Sequence, residues 1–353
     1  MIPQRSRREP SHDELEAAAR AIRTGRLVVF PTETVYGLGA DALNAAAVRG
    51  IFAAKGRPVD NPLIVHLESA TLLDTVAADA ARVAHELFAR FAPGPFTLVV
   101  RANDSVPREV TAGLATVAVR VPRHPVARAL LAACGRPIAA PSANRSGEPS
   151  PTTVDMARRS LGSTVDVYLD GGACEVGVES TVAAIAEGAV TILRPGAVTA
   201  EQIAAALPGI DVGYADANAA RGDASPSPGL RHRHYQPLAT VIVCDPADAR
   251  RCSVAVAHAL RGDGGSAAVI GLAAAVDAAL DAGPGVPAAG DALVLRASDP
   301  AEYARNLYRW FHELDAAGVT RIVALLPPAV GIGRAVRDRL TRAGERTRGN
   351  RCG

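Results

Sequence analysis

The sequence contains a single lysine, Lys55, within the stretch IFAAKGRPVDNPL (residues 51–63). The chain has 38 Lys and Arg residues in all, so arginine fills every other cationic position. Arg57 follows two residues later, and two adjacent cations repel each other unless an anion lies between them. Arginine offers an anion such as phosphate a planar fork, and lysine offers a compact charge that can follow a moving phosphoryl oxygen. The pair therefore indicates a phosphate site, with a solvated lysine at a helix end as the alternative.

Two loops carry further polar groups that could contact a ligand. FPTETVYGLGADA (30–42) combines two threonines, a glutamate and Tyr36 with glycines, where the backbone is free to approach a ligand. APSANRSGEPSP (140–151) can present hydroxyls, an amide and backbone N–H groups to phosphate or to a metal-bound oxygen. Its candidate side chains are Ser142, Asn144, Ser146 and Ser150. Both loops also have the composition of ordinary surface turns, which remains the alternative.

Polar residues also interrupt apolar strands. His66 lies in LIVHL and Arg120 in VAVRVP. A histidine on a strand is usually a hydrogen-bonded structural residue, whereas a buried guanidinium is costly without a carboxylate partner. Ser180 and Arg194 follow in GVESTVAAI and VTILRPGAV. The sequence has no Ser-His-Asp order, no Walker A motif and no HExxH motif, so it indicates no covalent nucleophile.

Length and composition limit the class of protein. With 353 residues, 48% hydrophobic and 21% charged, the chain is expected to form two globular domains. A net charge of +2 argues against a protein that mainly coats nucleic acid. The five cysteines form no CxxC pair, so we expect no metal site and reduced, cytoplasmic thiols. No secretory signal and no apolar run of the roughly 18 residues needed to cross a membrane are evident.

The pattern of apolar residues predicts the elements that position these loops. Ser11 and Glu14 resemble a capping box that opens a helix to about Ile22. Asn44 can cap a second helix whose last turn contains Lys55. Strands are expected at 26–30, 62–67, 96–101 and 116–121, and helices at 79–91 and from about 124. This order predicts a twisted mixed α/β sheet flanked by helices.

A change in composition divides the chain. Residues 208–237 are rich in Gly, Pro, Ser and Asp and have no apolar period, which predicts a linker or a long functional loop. Beyond it, short apolar strands alternate with amphipathic helices, as in a small Rossmann-like α/β domain. No GxGxxG follows its first strand, so nucleotide binding there is not indicated. The predicted domains are therefore 1–207 and 238–353, joined by 208–237.

Taken together, the motifs resemble the YrdC/Sua5 family. The resemblance rests, in order, on PTETVYGLGADA, KGRPVDNPL, APGPFTLVV, VAVRVPRHP, APSANRSGEPSPT, VESTV and ILRPG. SPGLRHRHYQP and the C-terminal runs are similar to the longer Sua5 type, and the resemblance covers nearly the whole chain from about residue 12. Leu230, where methionine is usual, and His232, where an aromatic is usual, are mild departures. The resemblance implies a YrdC-like catalytic domain, a linker that forms a lid, and a Sua5 C-terminal domain.

The same resemblance implies an activity: L-threonine, bicarbonate or CO2, and ATP with Mg2+ would give threonylcarbamoyl-AMP and diphosphate. The product would pass to a tRNA threonylcarbamoyl transferase complex for t6A modification at position 37 of tRNAs that read ANN codons. Contact with tRNA would be weak or indirect. A carbamoyl transferase of the hydrogenase-maturation kind would carry additional modules that are missing here. An RNA-binding module without synthase activity is the other alternative, against which the near-zero net charge counts.

Matching positions assign the site residues that the resemblance implies. The catalytic set falls on Lys55, Arg57, Ser142 and Asn144. ATP would be held by Arg57, Asn61, Thr116, Ser142, Ser150, Arg194 and Tyr235, the last on the lid. L-Threonine would be held by Thr34, His66, Arg120, Ala140 through its backbone, and Ser180, to which we add Tyr36.

Overall fold

The computed structural model describes residues 9–186, 188–215, 235–261, 266–281 and 293–345. The described chain forms two compact units. Among the described residues, the first unit comprises 9–146, 150–186 and 188–215, and the second comprises 147–149, 235–261, 266–281 and 293–345. Most of the predicted linker, residues 216–234, lies outside the described residues. The domain boundaries at 207 and 237 therefore stay predictions.

The first unit contains seven of the α-helices that the structure describes. They are α1 (His12–Arg23), α2 (Ala45–Lys55), α3 (Arg82–Phe91), α4 (Arg108–Thr111), α5 (Pro125–Cys134), α6 (Val154–Leu161) and α7 (Ala200–Ala206). The second unit contains α8 (Ala249–Arg261), α9 (Ala273–Asp281), α10 (Pro300–Ala316) and α11 (Gly333–Gly344).

The described strands are divided between the same two units. The first unit has β1 (Val28–Phe30), β2 (Gly37–Asp41), β3 (Ile64–His66), β4 (Phe96–Arg101), β5 (Thr116–Arg120), β6 (Ile138–Ala139), β7 (Val167–Tyr168), β8 (Thr181–Ala186), β9 (Ala189–Arg194) and β10 (Val212–Tyr214). The second unit has β11 (Thr240–Cys244), β12 (Ala267–Leu272), β13 (Leu293–Ala297) and β14 (Arg321–Leu325).

The sheet of the first unit is mixed. Among the described residues it has ten strands in the order β10-β9-β8-β4-β5-β3-β6-β2-β1-β7. The β3/β5 and β4/β8 pairs are parallel, whereas β4/β5 and β8/β9 are antiparallel. The fold class predicted from the sequence, a twisted mixed sheet with helices, is confirmed for this unit.

The second unit has a smaller sheet of a different kind. Its four described strands are all parallel, in the order β11-β14-β12-β13. Helices α8 and α9 pack on each other and on β12, while α10 and α11 form a second packed pair. An all-parallel sheet needs crossover connections between its strands, and α8, α9 and α10 lie in these connections. The predicted Rossmann-like α/β architecture is confirmed here as well.

Local sequence signals explain where two helices of the first unit begin. Ser11 Oγ accepts a hydrogen bond from the Glu14 N–H, and Glu14 returns one to the Ser11 N–H, so the predicted capping box forms. The Asn44 side chain caps α2 by accepting from two backbone N–H groups. This helix ends at Lys55 because Gly56 has a φ of 59°, a left-handed conformation that glycine adopts without strain.

The main core of the first unit lies on one face of its sheet. Buried side chains of alternate strand positions, such as Val65, Leu98 and Val119, pack there against α2, α3 and α7. The alternate positions face the opposite side, where Ile64, Val99, Ala118 and Val182 form a small apolar cluster. The polar strand residues share the face of this second, smaller cluster.

The structure differs from the sequence-based prediction at two places. The helix expected from residue 79 begins at Arg82, because Asp79 has a φ of 50° and cannot continue a right-handed helix. Residues 212–214, expected to be irregular, form β10 at the edge of the sheet, parallel to β9. An edge strand that is largely exposed shows no apolar alternation, so its pattern gave no strand signal.

Across the described parts of the chain, none of the helices combines the length and the apolar character that crossing a membrane would require.

Candidate active site

A row of residues in register crosses five strands of the first unit. His66 on β3 is paired with Arg120 on β5, and Arg120 is opposite Thr97 on β4. Thr97 is in turn paired with Val182 on β8, and Val182 with Arg194 on β9. Partners in register project from the same face of a sheet. The pairing of strands thus brings together four polar residues that are distant in the sequence.

Arg120 has the carboxylate partner that a buried guanidinium needs. Its Nη2 donates to Glu33 Oε1 at 2.6 Å, and the side chains are 4% and 1% exposed. The other Glu33 oxygen accepts from the backbone N–H groups of Arg123 and His124. Burial alone would raise the pKa of Glu33, but the Arg120 charge and these hydrogen bonds hold it below its ordinary value. This ion pair ties the loop after β1 to the row of residues.

Thr34 is held beside the same guanidinium. Its Oγ1 accepts from Arg120 Nη1 at 2.9 Å and lies 2.8 Å from Thr32 Oγ1. Arg120 Nε donates to the Gly94 carbonyl at 3.3 Å. Hydrogen bonds to Glu33, Thr34 and Gly94 therefore hold the guanidinium in place, and one of them also positions the Thr34 hydroxyl.

His66 is buried next to Arg120 and is neutral. Burial and the Arg120 charge lower the pKa of His66 from 6.5 to about 3. Within the described residues, its Nδ1 has no hydrogen-bond partner. A neutral imidazole can take part in hydrogen bonds with a ligand, but it adds no charge to the site.

Lys55 is 3% exposed, so the alternative of a solvated lysine at a helix end is wrong. Its Nζ donates to the Ser142 carbonyl at 2.5 Å and also to the Asn144 carbonyl. The Ser146 N–H donates back to the Lys55 carbonyl at 2.8 Å. The ammonium group therefore lies against the backbone of the loop that carries Ser142 and Asn144, and three of the four predicted catalytic residues are in contact.

Arg57, the remaining member of that set, is buried close to Asn61. Its Nε donates to the Asn61 carbonyl at 3.1 Å and its Nη2 to the Pro62 carbonyl at 2.9 Å. The turn at 57–62 thus folds around the guanidinium and fixes its direction.

Ser180 is held by buried hydrogen bonds with two neighbouring side chains, Arg194 and Thr97. Arg194 donates to the Ser180 carbonyl through both Nε and Nη2, and Nη2 is 3.2 Å from Ser180 Oγ. Ser180 Oγ lies 2.7 Å from Thr97 Oγ1. Gly196 lets this turn pack closely, because a Cβ there would lie 2.2 Å from the Thr181 nitrogen.

The other predicted site residues lie in different surroundings. Ser150 donates to Glu179 Oε1 at 2.6 Å. The Ala140 N–H donates to the Ile64 carbonyl, so β3 already uses that backbone donor. Thr116 is at the other end of β5 from Arg120. These assignments stay predictions.

Two tyrosines from the predicted set have structural contacts of their own. The Tyr36 hydroxyl donates to the Gly172 carbonyl at 2.7 Å and accepts from the Gly171 N–H at 3.2 Å. Burial raises the pKa of Tyr36 well above its ordinary value. Tyr235 belongs to the second unit, where its ring stacks on Tyr308 at 5.5 Å between centroids. Neither contact tests a role in binding threonine or ATP.

Buried charge is concentrated in this region. Among the described residues around the row and the two loops, the buried cations are Lys55, Arg57, Arg120 and Arg194. The buried carboxylates there are Glu33, Asp41 and Glu179. Burial of charge is costly, and a group of buried cations is suited to an anionic ligand.

Sequence reasoning missed three residues of this arrangement. Glu33 was visible only as one polar residue of the TET stretch, although the need of Arg120 for a carboxylate was a usable signal. Thr32 and Thr97 gave no signal, because a threonine in a loop or on a strand is common.

The described side chains offer no cluster of three or more His, Cys, Asp or Glu residues that could hold a metal. Hydroxyl and amide oxygens, as on Ser142 and Asn144, are the available donors near Lys55. Such a set suits a hydrated Mg2+ whose main ligands are phosphates.

Comparison with known proteins identifies the family. Residues 20–196 match the Sua5/YciO/YrdC family, described by the term telomere recombination. Residues 198–344 match the C-terminal domain of threonylcarbamoyl-AMP synthase. The chain belongs to the Sua5/YciO/YrdC family. The predicted resemblance is thereby confirmed, and the C-terminal match makes the chain a member of the longer, Sua5 type.

Relatives match this Sua5-type chain over nearly its full length. A threonylcarbamoyl-AMP synthase of Pyrococcus abyssi is 41% identical over 332 residues, which cover 94% of each chain. A threonylcarbamoyl-AMP synthase of Bacillus subtilis is 39% identical and covers 94% of this chain and 92% of its own. The crystal structure of P. abyssi Sua5 complexed with L-threonine superposes with a TM-score of 0.85 at 39% identity, covering 98% of both chains. These similarities support an enzyme of the synthase type.

Proposed function

We propose that this protein is an L-threonylcarbamoyladenylate synthase. It would convert L-threonine, bicarbonate or CO2, and ATP into threonylcarbamoyl-AMP and diphosphate. Relatives at 41% and 39% identity carry that name, and one structural relative was crystallised with L-threonine. The observation that carries the proposal is the burial of the Lys55 ammonium group against the loop of Ser142 and Asn144, because a cation beside hydroxyl and amide groups is suited to a triphosphate.

In this mechanism the neutral amine of threonine first forms a C–N bond with CO2 and loses a proton, or with bicarbonate and releases water, which gives a carbamate. A carbamate oxygen then attacks the α-phosphorus of ATP, forms the new P–O bond, and diphosphate leaves. No covalent enzyme intermediate is needed, so the protein contributes position and charge. Lys55 and Arg57 would stabilise the charge that develops on the phosphates, and Ser142 and Asn144 would orient them.

The hydrogen bonds of Arg120 indicate how it would contact threonine. Three of its five N–H groups already donate to Glu33, Thr34 and Gly94. The remaining two are available to the threonine carboxylate, but the ion pair with Glu33 offsets the charge. Arg120 would therefore orient the carboxylate more than it attracts it over a distance.

Mg2+ would arrive with ATP, and the side-chain oxygens of Ser142 and Asn144 would hold it together with water and substrate oxygens. It would neutralise part of the negative charge of the phosphates.

The carbamate and the acyl phosphate product both react with water, so a lid over the site is expected. The segment 208–237 with Tyr235 would form it. The product would pass to a tRNA threonylcarbamoyl transferase complex for t6A formation, with little direct contact between this protein and tRNA.

Release of diphosphate from ATP tests the proposal directly. The full chain should release it only when L-threonine and bicarbonate are both present, with no RNA added. Omission of threonine and its replacement by L-valine are the controls, since a site that hydrogen-bonds the hydroxyl rejects valine by about 1–3 kcal/mol. A protein that releases no diphosphate but binds RNA would instead favour an RNA-binding role.

A further inference from the structure

We propose that Cys244 and Cys252 in the second unit form a reversible dithiol–disulfide site. A low-molecular-weight disulfide such as oxidised glutathione would be the oxidant, and the product would link β11 to α8 covalently. The sequence predicts reduced thiols, and the four described cysteines are free. The inference adds a second state for this one pair, and it does not rest on the proposed function.

Two periodicities direct both side chains into the same layer of the second unit. On β11, Ile242 and Cys244 are two residues apart, so they face the same side of the sheet. On α8, Cys252, Val256 and Ala259 lie on one buried stripe of the helix. All five side chains belong to one apolar cluster. The strand and the helix therefore each present one thiol to the same core.

The short connection between β11 and α8 brings the two thiols together. Cys252 Sγ donates to the carbonyl of Asp245, the residue after Cys244, at 3.1 Å. The two thiol groups also share a hydrogen bond with each other. Both side chains are buried, with exposed fractions of 1% and 2%. The pair thus meets the condition of proximity that a disulfide requires.

Hydrogen bonds fix the connection that carries the pair. The Asp248 N–H donates to the Asp245 carbonyl at 2.9 Å, and the Ala247 N–H donates to Asp245 Oδ1 at 3.1 Å. Asp248 Oδ1 accepts from the Arg251 N–H at 3.0 Å, in the first turn of α8. Arg337 Nη2, on α11, donates to Asp245 Oδ2 at 2.6 Å. Because the connection is fixed, each thiol has a high effective concentration at the other.

Oxidation of the pair costs little in hydrogen bonding. A disulfide sulfur has no proton to donate, so the bond from Cys252 to the Asp245 carbonyl would be lost. That carbonyl still accepts from the Asp248 N–H. The disulfide therefore leaves no unpaired carbonyl at this place.

The surroundings of the pair make its oxidation slow. Burial raises the pKa of both thiols. The pKa of Cys252 reaches about 11, because Cys244 and the carboxylates of Asp248 and Asp245 also disfavour its thiolate. The thiolate is the attacking species in disulfide exchange, so only a small fraction of the protein reacts at any time near neutral pH. The site would therefore respond to a sustained change in the glutathione ratio.

The oxidation consists of two exchange steps. One cysteine loses its proton, and its thiolate attacks a sulfur of oxidised glutathione, which forms a mixed disulfide and releases one glutathione thiolate. The thiolate of the other cysteine attacks the protein sulfur of this mixed disulfide and releases the second glutathione thiolate. Two cysteines are oxidised, one glutathione disulfide is reduced to two thiols, and these thiols take up the two protons.

The test measures this equilibrium for the full chain in glutathione buffers, both folded and in urea. Cys352→Ser serves as the background, because Cys352 lies outside the described residues. After acid quenching, mass spectrometry separates an intrachain disulfide, which has lost two hydrogen atoms, from a glutathione adduct, which has gained a glutathionyl group. Peptide mapping then locates the bond.

The folded chain should form the Cys244–Cys252 disulfide without an accumulating glutathione adduct. Its equilibrium constant should be about 100-fold larger than in urea, which is typical of a disulfide that stabilises a folded state. By the same thermodynamic cycle, the oxidised protein should melt at a higher temperature than the reduced protein. Dithiothreitol should restore both thiols and the lower melting temperature.

Cys134→Ser is the matched control. Cys134 is also buried, and its thiol contacts the backbone carbonyls of Leu131 and Arg136. This variant should form the Cys244–Cys252 disulfide to the same extent as the background protein. Cys252→Ser should form no disulfide at Cys244.

Two results would overturn the proposal. One is a folded chain that keeps both thiols, or carries a glutathione adduct on one of them, in buffers that oxidise the pair in urea. The other is an equilibrium constant that is no larger in the folded chain than in urea. Samples that begin reduced and samples oxidised in urea and then refolded must reach the same ratio, so slow access of glutathione is not mistaken for a negative result. Diphosphate release does not enter the measurement, which keeps its outcome separate from the proposed function.

Discussion

The two units of the molecule treat buried charge differently. In the first unit, buried ionised side chains occur on the sheet face opposite the main core and in the loops beside it, among them Lys55, Arg120 and Glu33. In the second unit, Arg339 is the buried charged side chain among the described residues, and it contacts Asp338 at 3.0 Å. Burial of charge is costly and needs a compensating use. The difference therefore favours the first unit as the location of the proposed chemistry.

The largest effect is expected at Lys55. Lys55→Arg should lower the rate of diphosphate release by about 10²–10³-fold, because a planar guanidinium cannot take the place of an ammonium held between two carbonyls. The steady-state rate at saturating ATP and threonine measures it.

Arg49→Lys is the control for this substitution. It exchanges the same two residue types on the same helix, at a side chain that is 61% exposed and paired with Glu109. Its rate should be unchanged. Equal rates for both variants and the unmodified protein would remove Lys55 from the site.

The buried ion pair gives the second prediction. Glu33→Gln should lower the free energy of unfolding by about 3 kcal/mol, because it leaves the Arg120 charge buried without its partner. Adding Arg120→Met should restore part of that loss, since the uncompensated charge is then removed. Urea denaturation of the three proteins at pH 7 provides the measurement.

Glu109→Gln is the matched control for the ion pair, because its partner Arg49 is largely exposed. An exposed pair contributes no more than about 1 kcal/mol. If both glutamine variants lose the same stability, the contrast between buried and exposed charge does not hold.

The third prediction concerns pH. The pKa of His66 falls from 6.5 to about 3 in the folded protein, so between these values the unfolded chain binds a proton that the folded chain does not. Stability must then decrease as the pH falls through this window. Between pH 7 and pH 5 His66 should account for about 2 kcal/mol of lost stability.

His66→Asn isolates this contribution. Urea denaturation at pH 7 and pH 5 gives the free energy of unfolding of both proteins. Between these pH values it should fall by about 2 kcal/mol more in the unmodified protein than in the variant. An equal fall in both proteins would mean that His66 has the same pKa in the folded and the unfolded chain.

The smallest effect is expected in the second unit. Arg339→Met should cost about 1 kcal/mol, because the partner left behind, Asp338, is partly exposed and still bonded to Arg342 at 3.0 Å. Urea unfolding of Arg339→Met and of Glu33→Gln, measured under the same conditions, gives the two losses in free energy of unfolding, and thermal unfolding checks their order. If the two losses are equal, the distinction between the two units does not hold.

Much of the fold was predictable, because its signals are local. Ser11 and Asn44 mark helix starts through caps that need only neighbouring backbone groups. Strands such as β4 and β5 were visible as short apolar runs. The start of α3 and the edge strand β10 were not, since one depends on the backbone of Asp79 and the other on pairing with β9.

Residue types and their order along the chain, on their own, indicated the fold class and the family, and they singled out a lone lysine among arginines. Tertiary structure alone decided the partners: Glu33 for Arg120, Thr97 for Ser180, and a loop near residue 142 for Lys55. The physical reason is that strand register and loop closure bring together groups separated by many residues, and hydrogen-bond direction and charge balance exist only after that contact is made.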